Sequence, residues 1–399
     1  MKELLITQPD FMETFSCVGT ACLDHCCKGQ NVILDRNRYQ KYIKSPYSDI
    51  KRIAITHISV TQDSLASWAN ISPDSQGNCP FLDEQRLCQI YKYAGVNALG
   101  NRCSTYPRVE HIYKNQKIKS MSLSCPEVTR QVLFSPDALT LRFSIINQYD
   151  YFKSPDIVVE ERLVNRACAA IAAIPQVDIA ENLWAINCFL HSYQACNDVN
   201  RNNMVEIDNL RSKLISSIET GQAAHELMAV EYNPVIRGEL LNCLHNFMAQ
   251  LSDVRGKKRL TAYTNRLLTN STDEQIESHS FRQQLTTAWQ QYALPFFMGN
   301  PSVLRNYFLF RIHHDQLAMG GGLSAVAAFN LQIIDFFYLK MLITAHVNEY
   351  GQLAEDDVIG IVYSYHACRE SSDSLSQRFM QQLTVYAMSD DFPLLSLLM

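Results

Sequence analysis

Thiolate sulfur is the softest ligand a side chain offers a metal, and eight of the chain's 13 cysteines lie between Cys17 and Cys125. Cys17, Cys22, Cys26 and Cys27 form a knot; Cys79, Cys88, Cys103 and Cys125 lie further along. The other five (Cys168, Cys188, Cys196, Cys243 and Cys368) are scattered through helical-looking sequence, where a lone cysteine is a small buried hydrophobe. Crowding at one end has three physical explanations: disulfides, zinc or an iron–sulfur cluster. Disulfides are disfavoured, because MKELLITQPDF lacks the apolar run of a signal peptide and cytoplasmic thiols stay reduced. An odd total also cannot pair completely. Structural zinc usually sits between pairs spaced C-x2–4-C. Here the order is C-x4-C-x3-C-C, then gaps of 8, 14 and 21 residues between the later cysteines. A scattered set closing around a bulkier inorganic core suits a cluster better, with zinc as the alternative. Eight thiols would serve two four-ligand sites, or one site with structural thiols beside it. Adjacent Cys26 and Cys27 are expected to point apart, while Asp24 and His25 inside the knot would support the ligands from behind.

Several chemistries are excluded. The radical adenosylmethionine signature C-x3-C-x2-C begins at Cys22 and Cys26 but meets Gly29 at its third position. No G-x-G-x-x-G stands after a strand; Gly320-Gly321-Gly322 comes after helical sequence and reads as a flexible connection. Of 35 Lys and Arg, 16 fall in residues 1–130 against 12 of the 40 Asp and Glu, a balance of +4 that leaves the remainder at −9. That distribution excludes a nucleic-acid footprint over the whole chain. The acidic remainder reads as a solvated helical surface. The most apolar stretch, Gly320 to Ala345, is interrupted by Asn330, Gln332, Asp335 and Lys340 and reads as a buried helix, without membrane insertion.

These residues must be positioned by two kinds of sequence. Residues 1–150 read as a small cysteine-rich, metal-binding α+β region; residues 151–399 read as an irregular helical domain, so the fold class is mainly α. In the first part, Gln30 to Asp35 is a short strand or turn and Arg36 to Lys44 a short helix. Ile50 to Trp68 shows partial alternation and is expected as strand. His111 to Ser122 is a hairpin turning near Asn115-Gln116, and Pro126 opens a helix. The first 15 residues are too short to fold alone and are expected to pack onto the cysteine-rich region. From about residue 135 amphipathic helices repeat, one starting at Ser154-Pro155-Asp156, others over 180–196, 205–219, 235–253, 275–293, 302–314, 323–348, 355–369 and 374–388.

Read together, Phe15-Ser16-Cys17-Val18-Gly19, Cys22 with Asp24 to Gly29, CPFLDEQRLCQIY (Cys79–Tyr91), CSTYPR (Cys103–Arg108) and SLSCPE (Ser122–Glu127) resemble the flagellin lysine-N-methylase family. The same cysteine pattern is shared with small zinc- or iron-chelating domains. The resemblance is strongest over residues 11–130 and extends more thinly to Leu304-Arg305-Asn306-Tyr307-Phe308. It departs from the family at Asn101-Arg102, where a second cysteine often stands before the equivalent of Cys103, and at Gln30, usually Trp. The resemblance implies methyl transfer from S-adenosylmethionine to lysine ε-amines of flagellin, in the cytoplasm. It also implies an iron–sulfur cluster of the 4Fe–4S type, with Cys17, Cys22, Cys26, Cys27, Cys79, Cys88, Cys103 and Cys125 as the ligand pool.

Such a reaction needs a neutral amine, although free lysine has a pKa of about 10.4. Desolvation or a base must therefore remove its proton. Donor binding would use an architecture without a Rossmann loop; a cluster iron free of cysteine could hold the donor's amino and carboxylate groups, or the cluster could be a structural staple. Tyr307 and Arg311, one helical turn apart, share a face and with Tyr365 and His366 are the candidates for catalysis. Each also reads as core packing, as does Tyr363. His313-His314-Asp315 reads as a solvated helix end. Two rival functions stand beside the enzyme: a metal-binding carrier whose helical part docks partners, and a zinc-stabilised scaffold.

Overall fold

The computed structural model describes residues 2–28, 32–148, 154–176, 178–197, 203–268, 279–319, 322–371, 374–389 and 394–398. Two cores divide the fold. The smaller gathers Val32, Leu34, Tyr42, Ile50, Phe81, Ile90 and Leu99. It lies under a three-stranded antiparallel sheet, in which β2 (Val32–Leu34) and β3 (Ile58–Val60) flank β4 (Ala69–Ile71). The helix Arg36–Ile43 forms as expected, capped by Asp35, whose carboxylate accepts from Arg38 N at 2.8 Å. Ile50 to Trp68 is not one strand. Ser48–His57 is helix, because Ile50, Ile53 and Ala54 repeat at helical spacing and turn one face inward; alternation begins only at β3.

A second sheet, in the order β5-β6-β1-β7, joins the termini of the first 150 residues. β1 (Lys2–Pro9) runs parallel to β6 (Gln116–Met121), with Leu5 opposite Gln116, and antiparallel to β7 (Leu141–Gln148), with Leu5 opposite Ile145. β5 (Arg108–Ile112) pairs with β6 as the expected hairpin. The opening residues thus form an inner strand. β7 falls where helices were expected. Residues 141–147 are all exposed, Phe143 and Ile145 among them, so the strand has no buried face to mark it. The helix expected at Ser154-Pro155 begins at Val159.

The larger core is helical. Its axis is the helix Ala325–Tyr350, capped by Ser324, whose hydroxyl accepts from Ala327 N at 3.1 Å. This helix has the length and apolarity of a membrane span, yet 83% of its most apolar window is buried in the fold. The polar residues that interrupt the stretch find partners inside: Asn330 donates to Ala387 O at 2.8 Å and Lys340 to Leu398 O at 3.0 Å. Around it pack Glu355–Arg369, Ser374–Ala387 and Lys257–Leu268, and Ser302–Asp315 reaches it through Phe308 against Phe336 and Arg311 against Asp335. Pro126–Phe134 packs against Ser302–Asp315 and carries Cys125 and Val128 into this core. Gly320 and Gly321 lie outside the described residues.

Candidate functional site

Local turns assemble the cysteines. Asp74 accepts from Gln76 N and Asn78 N, both at 2.8 Å, and closes the turn before Cys79. Asp83 accepts from Gln85 N at 3.0 Å and Leu87 N at 2.9 Å, folding Leu82 back against Cys88. Cys79 N donates to Cys27 O at 2.7 Å, docking this double turn on the N-terminal knot. All the described cysteines are free thiols. Cys26, Cys27, Cys79, Cys88 and Cys103 stand near enough for their charges to act on one another. Cys22 senses Cys17 and Cys26, and Cys125 senses Cys22. The pool is therefore two neighbouring groups that meet at Cys26. Cys26 and Cys27 do not point apart. The Cys27 thiol bonds the Cys26 sulfur, and this bond, aided by nearby Arg255, holds Cys26 well below the ordinary thiol range. Burial pushes Cys79 and Cys125 up, to about 12 and about 11.

Among the described residues, no three Cys, His, Asp or Glu side chains are arranged around a single metal ion. The donor set is all sulfur, which suits zinc or an iron–sulfur core.

The four catalytic candidates converge, but inside the protein. Arg311 Nη1 donates to the Tyr307 hydroxyl at 2.9 Å and to Asp335 Oδ2 at 2.8 Å; the Tyr365 hydroxyl donates to Asp335 Oδ1 at 2.6 Å. Arg369 Nε lies 2.9 Å from Asp335 Oδ1, close but poorly aligned for a hydrogen bond. The Tyr307 hydroxyl is 3.4 Å from His366 Nε2. Arg311 is 4% exposed and Asp335 is fully buried. Nor is His313-His314-Asp315 solvated. His313 Nε2 donates to Lys119 O at 2.9 Å, His314 Nδ1 bonds Ser120 Oγ at 2.8 Å, and Asp315 accepts from Arg311 Nε at 2.8 Å. The two histidine bonds clamp the helix end to β6. Burial, with the charges of His314 and His111, pushes His313 down to about 4.

From this core a chain of polar contacts leads to a cleft. His366 Nδ1 donates to Glu370 Oε1 at 2.9 Å, and Ser122 Oγ to Glu370 Oε2 at 2.8 Å. Ser122 and Ser124 share a bond of 2.6 Å, and Ser124 Oγ is 3.1 Å from the Tyr106 hydroxyl. Arg255 Nη1 donates to that hydroxyl, while Arg255 Nη2 donates to Asp24 O at 3.1 Å. Gly256 N donates to Asp24 Oδ2, also at 3.1 Å. Only glycine serves here: φ is +79°, and a Cβ would stand 3.0 Å from Ser364 O. The cleft has a volume of about 250 Å³ and is lined by Arg102, Tyr106, Arg108, Ser122, Arg255 and Glu370 among others. None of Tyr307, Arg311, Tyr365 and His366 lines it. Glu370 is 31% exposed there. Burial raises its carboxyl, but the His366 hydrogen bond and the charges of His366, His314 and Arg369 outweigh that and hold it at about 2. Sequence reasoning missed Arg255 and Glu370, which stand outside every spaced motif and meet only in three dimensions. Tyr106 and Arg108 were visible within CSTYPR, without a role.

The fold and site together define a cysteine-rich chelating module joined to a helical domain, with a charged cleft along the seam. Comparison with known proteins divides the chain similarly. Residues 16–126 match the model of a putative zinc- or iron-chelating domain, and residues 165–397 match the FliB lysine N-methylase C-terminal domain. Relatives named lysine-N-methylase from Salmonella typhimurium and Salmonella choleraesuis are 30% and 31% identical, each over the full length of both chains. The flagellar biosynthetic protein FliU of Salmonella muenchen is 44% identical over 37% of this chain and 93% of its own. No solved structure matches. The chain belongs to the lysine N-methylase family, a family of methyltransferases.

Proposed function

We propose that this chain methylates lysine ε-amines of flagellin in the cytoplasm, taking the methyl group from S-adenosylmethionine, and that its cysteine-rich region holds an iron–sulfur cluster of the 4Fe–4S type. One observation carries the reading: the cleft lies on the seam between the chelating and methylase segments, and it sets one carboxylate, Glu370, against a cationic wall. The flagellar name of a 44% identical relative supports the choice of flagellin. The cysteine set supports the cluster by its all-sulfur chemistry. When bound, the cluster supplies metal–thiolate crosslinks that fix the turns around Cys22 to Cys27 and Cys79 to Cys103.

In the cleft, Glu370 receives the substrate ammonium and aligns it. A carboxyl held at about 2 is too weak a base to take a proton from lysine, so Glu370 orients rather than deprotonates. The donor's sulfonium, held beside the nitrogen, disfavours a second cation there, which lowers the amine's pKa and sends its proton to solvent. The neutral nitrogen then attacks in line. The N–C bond forms as the methyl–sulfur bond breaks, and that electron pair returns to sulfur, leaving a neutral thioether. Protein purified anaerobically, assayed for iron, sulfide and zinc, and incubated with purified flagellin and methyl-labelled S-adenosylmethionine tests the proposal. Label on flagellin lysines, with iron and sulfide in equal amounts, is expected. Unlabelled flagellin overturns the activity; zinc without sulfide overturns the cluster.

A further inference from the structure

We propose that Arg102, Arg108 and Arg255 form a binding site for the α-carboxylate of an amino-acid-bearing donor, so that the cleft grips the donor by its amino-acid end. The inference rests on the methyl-transfer reading above and specifies its binding site. Three separate elements bring these arginines together: the short helix Asn101–Thr105, the start of β5, and the turn before the helix Lys257–Leu268.

Arg255 is 4% exposed, and its nearest carboxylate, Asp24, stands at 3.9 Å from Nε. Its Nε has no hydrogen-bond acceptor among the described residues. A buried guanidinium so loosely matched is costly unless an anion completes it. Among the described residues neither Arg102 nor Arg108 forms an ion pair; Arg108 lies over the Phe15 ring, 5.7 Å from its centroid, with its polar edge free. Glu370 is the one carboxylate among the described residues that line the cleft, and its oxygens are engaged by His366 and Ser122. The wall is thus positive: beyond Asp24 and the Cys26 sulfur near Arg255, the described residues offer its guanidinium groups no free anion.

Guanidinium favours carboxylate, which it binds through two parallel hydrogen bonds. Size agrees with an amino-acid end rather than a whole nucleoside. A cleft of about 250 Å³ falls just below the ~300–1,000 Å³ of sites that enclose complete drug-sized ligands. The adenosine part would then lie beyond the cleft.

Two probes separate the donor's ends. S-adenosylhomocysteine carries the amino-acid end, and methylthioadenosine has the same nucleoside and thioether without it. Calorimetry on the anaerobically loaded full chain is expected to show S-adenosylhomocysteine binding at least about tenfold tighter, as one charge-assisted contact implies. The double substitution Arg102→Gln and Arg108→Gln, at two exposed positions, should abolish most of that preference and leave methylthioadenosine affinity unchanged. A preference that survives the double substitution overturns the site, as does equal binding of both ligands by the wild type. Labelling of flagellin by the wild type, measured alongside, separates the two claims: label without discrimination overturns only this site, whereas absence of label overturns the methyl-transfer reading itself.

Discussion

The two halves of this molecule solve opposite problems. The helical part closes a large core around Ala325–Tyr350 and satisfies buried charge internally, with Arg311 and Arg369 facing Asp335. The cysteine-rich part has a core of its own of ten buried residues among the described ones, leaves Cys17, Cys26 and Cys103 exposed, and depends on aspartate-closed turns. Small cores usually need a metal or other crosslink. One half is closed by burial and the other is expected to need ligation, and the cleft sits where they meet.

Removing the metal should break this contrast most visibly. Chelation or oxidation is expected to open residues 16–105 to limited proteolysis and fast hydrogen exchange, while 302–369 stays protected. Equal resistance in both regions would mean that the turns alone hold the first half. Next in size, Asp335→Asn takes from Arg369 its carboxylate and leaves Arg311 with Asp315 alone; it should cost about 3–5 kcal/mol, read as a lower denaturation midpoint. The loss should appear in the helical half without release of metal. Gly256→Ala meets both a left-handed backbone and Ser364. It should cost about 1–3 kcal/mol and weaken donor binding more than an exposed substitution of equal cost, because it displaces Arg255.

The last effect is one of pH. His313 titrates near 6.5 when unfolded and at about 4 when folded. Below 6.5 the unfolded chain therefore binds more protons, and stability falls as pH drops, levelling off below about 4. Its share is about 2 kcal/mol at pH 5. Thermal melts from pH 7 to 4 should show a shallower decline for His313→Gln than for the wild type.

The sequence was most legible where a single residue type carries the signal. The cysteine pool, most helices from Ala180 onward and the hairpin around Asn115 are readable from composition and period; Gln222–Met228 and Lys257–Leu268 were not expected. The strand β7 was not, because it has no buried face to mark it, and Ser48–His57 was not, because an interrupted run can satisfy two periods. Tyr307 and Arg311 were legible as a pair one turn apart, but nothing local revealed their burial on Asp335. The cleft was hidden for a different reason. Arg255 and Glu370 are ordinary charges in sequence, and their meaning arises only when Asp24, Tyr106 and Ser122 connect them.

The central claim is that methyl transfer occurs at this cleft, with Glu370 holding the substrate amine. The direct test is kcat/KM for flagellin methylation by anaerobically loaded wild type and Glu370→Gln, each with its iron content matched. A fall of about a hundredfold or more, the loss of a charge-assisted contact made to the reacting amine, is the predicted result. An unchanged kcat/KM would contradict the account and move the reaction elsewhere on the molecule.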